Sequence, residues 1–322
     1  MKIASDKEQK RPRNDMVQNM TKRNVTIYLT IIFSLLTLVT LYYTASFLNR
    51  QSDSATFNAQ RAYTDVLTQV EMGSRSPGSI GHVQIREWMR AELESAGWVV
   101  EVHHTERLGH PIYNIIAKRN DEPPQIILGA HYDTRFFADN DPNIENHTLP
   151  VPGANDGASG VAVLIELART LPQDITPTWL VFFDAEDNGR IDGWDWILGS
   201  RAFVEEIEVN PQAVVIVDMI GDIDLNIHLE INSDKALRAE IWNTASELGY
   251  GSVFINTEKY SILDDHTPFL EKGIPAINII DFDYPYWHTI SDTPDKVSAE
   301  SLLAVGDTLW HWVVKRTENS NQ

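Results

Sequence analysis

The residues of this chain best suited to chemistry are carboxylates and histidines gathered in short, well-separated groups. They are His131-Tyr132-Asp133, Asp156 within the small-residue run 153–160, Glu186-Asp187, Asp218, Asp264-Asp265-His266 and His288. The chain has no cysteine, so any metal it binds must be held by imidazole nitrogen and carboxylate oxygen. Histidines with several acids form the donor set that zinc accepts when thiolate is absent. Neighbouring carboxylates such as Glu186 and Asp187 point in different directions, so one can ligate while the other moves protons. In extended chain, residues two apart share a face, which lets Asp133 orient His131 or its metal. Singly, each group has a plainer reading as a surface hydrogen bond, a turn or a cap. Their joint occurrence and their positions carry the functional one.

Those positions are the ends of buried strands. The pattern predicts strands at 99–103, 113–117, 125–130, 178–183, 213–217 and 276–280. It predicts helices at 57–71, 80–96, 161–171, 235–248 and 299–314. Runs such as Ile126-Ile127-Leu128 are apolar without alternation, which means burial on both faces. The expected fold class is therefore α/β: a single three-layer α/β/α domain with a mixed, mainly parallel sheet. In open sheets of this kind, ligand sites form beyond the carboxyl ends of the strands.

With these groups in this order, the chain resembles the zinc aminopeptidase and glutaminyl cyclase superfamily over roughly residues 60–315. The resemblance is carried by His131-Tyr132-Asp133, Gly153-Ala154-Asn155-Asp156, Glu186-Asp187, Asp218-Met219-Ile220-Gly221 and His288-Thr289. It implies one or two Zn2+ ions. In a peptidase of this family Asp156 would bridge two ions. His131 and Asp218 would complete one site, Asp187 and His288 the other, and Glu186 would be the general base. The family often has Glu where this chain has Asp187. In a cyclase a single zinc would rest on Asp156, Asp187 and His288. Glu186 would then pass a proton from the α-amine of an N-terminal Gln to the departing ammonia. Asp218 and Asp264 would belong to a buried acid network, with Asp133 in support.

The segment Asp264-Asp265-His266-Thr267-Pro268-Phe269, Trp287 directly before His288, and Trp194 with Trp196 before Leu198 are similar to the cyclases. Trp287 and Trp194 are thereby candidate substrate-binding residues, with plain packing as the alternative. The run Gly153–Gly157 is closer to the peptidase form. The resemblance thus implies an enzyme acting on the N-termini of peptides or proteins, first as a glutaminyl-peptide cyclotransferase and alternatively as a di-zinc aminopeptidase. A non-catalytic binding ectodomain is the third reading, and the intact set of ligands and base argues against it. His266 could support the site or cap the helix after it. His103, His104, His110, His147 and His228 lack matched carboxylates and are expected to be surface or hydrogen-bonded groups. The loop 136–152 is either an entrance wall or a plain surface loop.

Charge narrows the partners. The chain carries −20, while residues 1–23 hold seven Lys/Arg against three Asp/Glu, so residues 24–322 carry −24. A strongly acidic body repels phosphate backbones, which argues against nucleic acid as a partner, and none is expected. Residues 24–49 are uncharged and largely apolar, longer than the ~20 helical residues needed to cross a bilayer. The basic leader places the N-terminus in the cytoplasm and the rest outside. Thr44-Ala45-Ser46 would suit a signal peptidase, but the long polar leader and the length of the apolar run favour a retained anchor. The expected organisation is a cytoplasmic basic tail (1–23), one N-terminal transmembrane helix (24–47), a linker (48–56) and a zinc-dependent catalytic domain (57–317).

Overall fold

The computed structural model describes residues 57–320. The predicted tail, anchor and linker lie outside the described residues. Among the described residues no helix is long and apolar enough to cross a membrane.

Two capped helices open the domain. The side chain of Asn58 accepts from the Arg61 amide at the start of α1 (Ala59–Glu71), and that of Ser79 accepts from the His82 amide at the start of α2 (Ile80–Ser95). The chain continues through β1 (Val99–Arg107), β2 (His110–Lys118), β3 (Ile126–His131), α3 (Ala158–Thr170), β4 (Thr178–Phe183) and α4 (Leu198–Glu206). It ends with β5 (Ala213–Asp218), β6 (Ile227–Glu230), α5 (Lys235–Leu248), β7 (Phe254–Tyr260), α6 (Thr267–Glu271), β8 (Ala276–Ile280) and α7 (Ala299–Ser320).

Six strands form one sheet in the order β1-β2-β4-β3-β5-β8. The β1/β2 and β2/β4 pairings are antiparallel, and the β4/β3, β3/β5 and β5/β8 pairings are parallel. Alternation along the central strands explains why they read as unbroken apolar runs. Leu128, Leu180, Phe182, Val215 and Val217 face a layer with residues from α1, α2, α3, α5 and α7. Ile127, Val181, Phe183, Val214 and Ile216 face the opposite layer with Phe203 of α4 and Phe269 of α6. Full burial of each such side chain stabilises by about 1.5–3 kcal/mol. Within the larger layer, fully buried Glu166 of α3 accepts from the Asn58 amide (2.9 Å) and from Arg61 (2.6 Å), tying the start of α1 to α3.

The structure departs from the sequence reading in three places. The first two strands are nine residues each, joined in a hairpin whose turn residues Leu108 and Gly109 both have positive φ. Helix α4 follows Ile197, itself left-handed at φ 55. A separate parallel pair, β6 and β7, lies outside the main sheet.

Candidate active site

The parallel strands deliver their last residues to one edge. β3 ends on His131 and β5 on Asp218. Just beyond β4 and β5 the chain turns through left-handed Ala185 (φ 52) and Met219 (φ 47), the first leading directly into Glu186-Asp187. Asp156 sits immediately before α3. Gly157 follows it at φ 95, where an added Cβ would stand 2.7 Å from the Asp133 carbonyl oxygen, so only glycine fits. His288, also left-handed (φ 57), comes from the loop after β8.

These side chains converge in two triads that share a member. His131 Nε2 lies 3.1 Å from Asp218 Oδ1 and 3.2 Å from Asp156 Oδ1. His288 Nε2 lies 2.7 Å from Asp187 Oδ1 and 3.7 Å from Asp156 Oδ2. Candidate ligand atoms of His131, Asp156 and Asp218 all fall within 4.8 Å of one another, as do those of Asp156, Asp187 and His288. All five residues are buried. Asp156 Oδ2 and Asp187 Oδ2 have no hydrogen-bond partner. A buried carboxylate oxygen left unpaired is costly, and a divalent cation removes that cost. Oxygen and imidazole donors at this spacing fit zinc.

The local charge balance agrees. Burial pushes the Asp218 carboxyl up to about 7, assisted by the charges of Asp264 and Asp156 and opposed by His131. Burial and the charge of Asp156 push Asp187 up to about 6, against His288. Glu186 stands well above the usual carboxylate range, through burial and then the charges of Asp187, Asp264 and Asp265, with His131 opposing. A bound cation reverses such shifts for the residues that ligate it.

The loops that carry these residues are held through their backbones. Asp133, which is completely buried, accepts from the amides of Glu186 (3.0 Å) and Asp187 (3.3 Å) and from Asn188 Nδ2 (3.1 Å). Its Oδ1 also faces His131 Nδ1 at 3.6 Å, within ion-pair range, so it fixes the Glu186 loop by hydrogen bonds and meets the imidazole by charge. Asp292 does the same for the other loop, accepting from the amides of Asn155 (2.8 Å) and Asp156 (3.1 Å) and from Tyr284 Oη (2.6 Å). Arg75, completely buried, donates to the carbonyls of Pro152 and Gly153 just upstream. Arg135 donates to the carbonyls of Asp187 (3.0 Å) and Gly189 (3.2 Å).

A cavity of about 250 Å3 opens beside the triads, lined by Asp156, Glu186, Asp187, Asp218 and Asp264 together with Trp196, Phe282 and Trp287. Trp287 stacks on His288 with ring centroids 3.8 Å apart. Asp264 is fixed by Asn278 Nδ2 and by the amide of Asp265. Trp194 is not among the lining residues. Its ring stacks on His110 (3.7 Å) and meets Phe136 (5.2 Å). Trp196 takes that place because its indole packs on Gly189, where a Cβ would come within 2.1 Å of it. His266, completely buried, makes no side-chain cap on α6 and lies 3.3 Å from Glu230 Oε2. It does occupy the N-cap position of α6, as the capping reading expects, but it caps with its backbone carbonyl, which accepts from the Leu270 amide (3.3 Å), and not with its side chain. Asp292, Arg75 and Arg135 were not singled out by the sequence reading, because each acts on the backbone of a residue far away in the chain.

Residues 114–313 match the model of peptidase family M28. The chain belongs to this family. Among solved structures, this M28 chain is similar to the glutaminyl cyclase of Porphyromonas gingivalis, with 34% identity and a TM-score of 0.77, covering 81% of this chain and 99% of that one. It is also similar to a Zn-dependent exopeptidase from Parabacteroides distasonis, at 30% identity and a TM-score of 0.75, covering 80% and 98%. A glutaminyl-peptide cyclotransferase of Boiga irregularis is 25% identical over 288 residues, 75% of this chain and 77% of that protein. The M28 chain therefore has relatives of two chemistries on one fold.

Proposed function

We propose that this M28 chain is a zinc-dependent glutaminyl cyclase that converts the N-terminal Gln of peptides or proteins to pyroglutamate. The observation that carries the reading is the wall of the cavity. Glu186, Asp218 and Asp264 line it together with Trp287, whose indole lies on His288. Such a wall suits a short amide side chain, with acids to hold the amide and aromatic surface to confine it. The likeness to the Porphyromonas gingivalis cyclase supports it.

In this reading Asp156, Asp187 and His288 hold the ion. When bound, zinc supplies Lewis acidity to the side-chain amide carbonyl. The residues do the rest. Trp287 and Trp196 confine the side chain so that the α-amine faces the amide carbon, and this positioning turns a slow internal reaction into a fast one. Bond formation between the α-nitrogen and the amide carbon, with loss of ammonia, closes the ring. Glu186 takes the proton from the α-amine and returns it to the leaving nitrogen. Asp218 and Asp264 hold the amide in register, and no water is consumed.

The second reading, an aminopeptidase, is favoured by one observation: His131, Asp156 and Asp218 form a ligand triad of their own. One experiment separates the two. The zinc-loaded domain is incubated with a Gln-initiated and a Leu-initiated peptide, and the products are weighed. The cyclase reading expects the first peptide to become lighter by one ammonia and the second to stay intact; release of free Leu would assign the aminopeptidase instead. Chelation abolishes either activity and zinc restores it.

The proposal extends to location. The uncharged run 24–49 behind a +4 leader supports a single-pass anchor at 24–47, with the N-terminus cytoplasmic and residues 57–317 outside. The full chain is expected to sediment with membranes through carbonate extraction. Protease added outside intact cells should remove the domain, and recovery of the full chain in the soluble fraction would overturn the assignment.

A further inference from the structure

The cavity wall is acidic except at one point. Five carboxylates line it, and Arg190 is the only Lys or Arg among the lining residues. Other cations around the rim are already engaged: Lys259 grips Asp283 (2.6 Å), and Arg135 grips Asp139 (2.6 Å). Arg190 is exposed and makes no ion pair among the described residues. Its position is also fixed. The preceding segment is held by Asp133 at Asn188 and by Arg135 at the carbonyls of Asp187 and Gly189, and Trp196 packs on Gly189. The backbone at Arg190 is left-handed (φ 62), a conformation that a long side chain adopts at a cost and glycine adopts freely. A bulky cation at such a site, three residues beyond Asp187 and in the cavity lining, points to use of the side chain rather than of the turn.

We propose that Arg190 forms a carboxylate-binding subsite at the mouth of the cavity, so that the enzyme prefers peptides carrying an acidic group just beyond the N-terminal residue. The proposal rests on the site acting on peptide N-termini. The guanidinium fork matches a carboxylate with two parallel hydrogen bonds, whereas a backbone carbonyl uses only one. The chain carries −20 and the wall has five carboxylates, so Arg190 is the one basic side chain of the lining that can pair with an incoming anionic group. Two sources supply this chemistry: an Asp or Glu side chain at the second residue, or the terminal carboxylate of a dipeptide.

The test compares wild type, Arg190→Lys and Arg190→Asn, the last chosen because Asn tolerates positive φ. Substrates are Gln-Glu-Ala amide against Gln-Lys-Ala amide, and Gln-Ala free acid against Gln-Ala amide. For wild type, KM is expected to be about three- to tenfold lower for the acid member of at least one pair, with kcat unchanged. Arg190→Lys keeps part of that preference and Arg190→Asn loses it. Whichever pair responds identifies the source of the carboxylate. Equal KM values across both pairs in wild type, or a preference that survives in Arg190→Asn, overturn the subsite while leaving the cyclisation reading intact. Calorimetry on the zinc-loaded protein separates the remaining cases. Arg190-dependent tighter binding of acidic peptides without turnover upholds the subsite and removes the cyclase reading, and binding of neither member removes both.

Discussion

A Glu186→Gln enzyme retains its zinc and its fold and loses turnover by about 10²–10⁴ in kcat, the range associated with a positioned proton-transfer group. The geometry makes this variant informative. The Glu186 amide donates to Asp133 (3.0 Å) and its carbonyl accepts from the Ile197 amide (2.9 Å). Neither bond involves the carboxyl, so the substitution leaves the loop in place. The Glu186 side chain lies in the cavity wall and belongs to neither ligand triad. What the amide cannot do is accept a proton from the α-amine and return it to the leaving nitrogen. Stability gives a second check. The folded-state pKa of Glu186 is raised above its unfolded value of about 4.3, so its ionisation subtracts stability as pH rises beyond that point. The metal-free variant is therefore expected to melt no lower than wild type at pH 8, with any advantage vanishing below about pH 4. Zinc analysis, melting curves and single-turnover rates read the three quantities separately. Wild-type kcat in this variant would transfer the proton role to another acid of the wall.

Several parts of this molecule were open to inspection of the chain alone, and the reasons differ by element. The central strands were legible because burial on both faces leaves β3 and β5 without polar residues until His131 and Asp218 end them, and leaves β4 apolar after Thr178. The acids and histidines stood out for the same reason: they are where the apolar run stops. The hairpin of β1 and β2 was read short because its turn uses Leu108 at φ 51, a residue that gives no turn signal. Helix α4 has nine residues and starts from left-handed Ile197, and β6 has only four, so neither builds up enough periodicity to be recognised. The supports of the site left no local trace at all. Asp292 holds Asp156 from 136 residues away, through the backbone amide that every non-proline residue possesses. Trp194 and Trp196 are two residues apart in a loop with no regular structure. Which of them faces the cavity is settled by the bare backbone of Gly189, a contact that only the folded chain displays.

The Asp156→Asn substitution carries the second large effect, because Asp156 is the one residue common to both triads. Asn keeps the shape and the amide held by Asp292 (3.1 Å), so α3 and its leading turn remain folded. It removes the negative charge that His131 and His288 face from either side, and it converts one ligand oxygen to an NH2 group that cannot ligate zinc. Altering a residue that merely supports a ligand costs about 10–100-fold in metal affinity. Loss of the shared ligand itself is expected to exceed that range and to remove activity with the metal. Comparison with His131→Ala then distinguishes the two chemistries by stoichiometry. If a single ion sits on Asp156, Asp187 and His288, His131→Ala keeps one zinc per chain, as wild type does, while Asp156→Asn keeps none. If two ions share Asp156, wild type holds two, His131→Ala drops to one and Asp156→Asn again to none. Retention of a full zinc complement by Asp156→Asn would remove Asp156 from the metal site, and with it the geometry on which both chemistries depend.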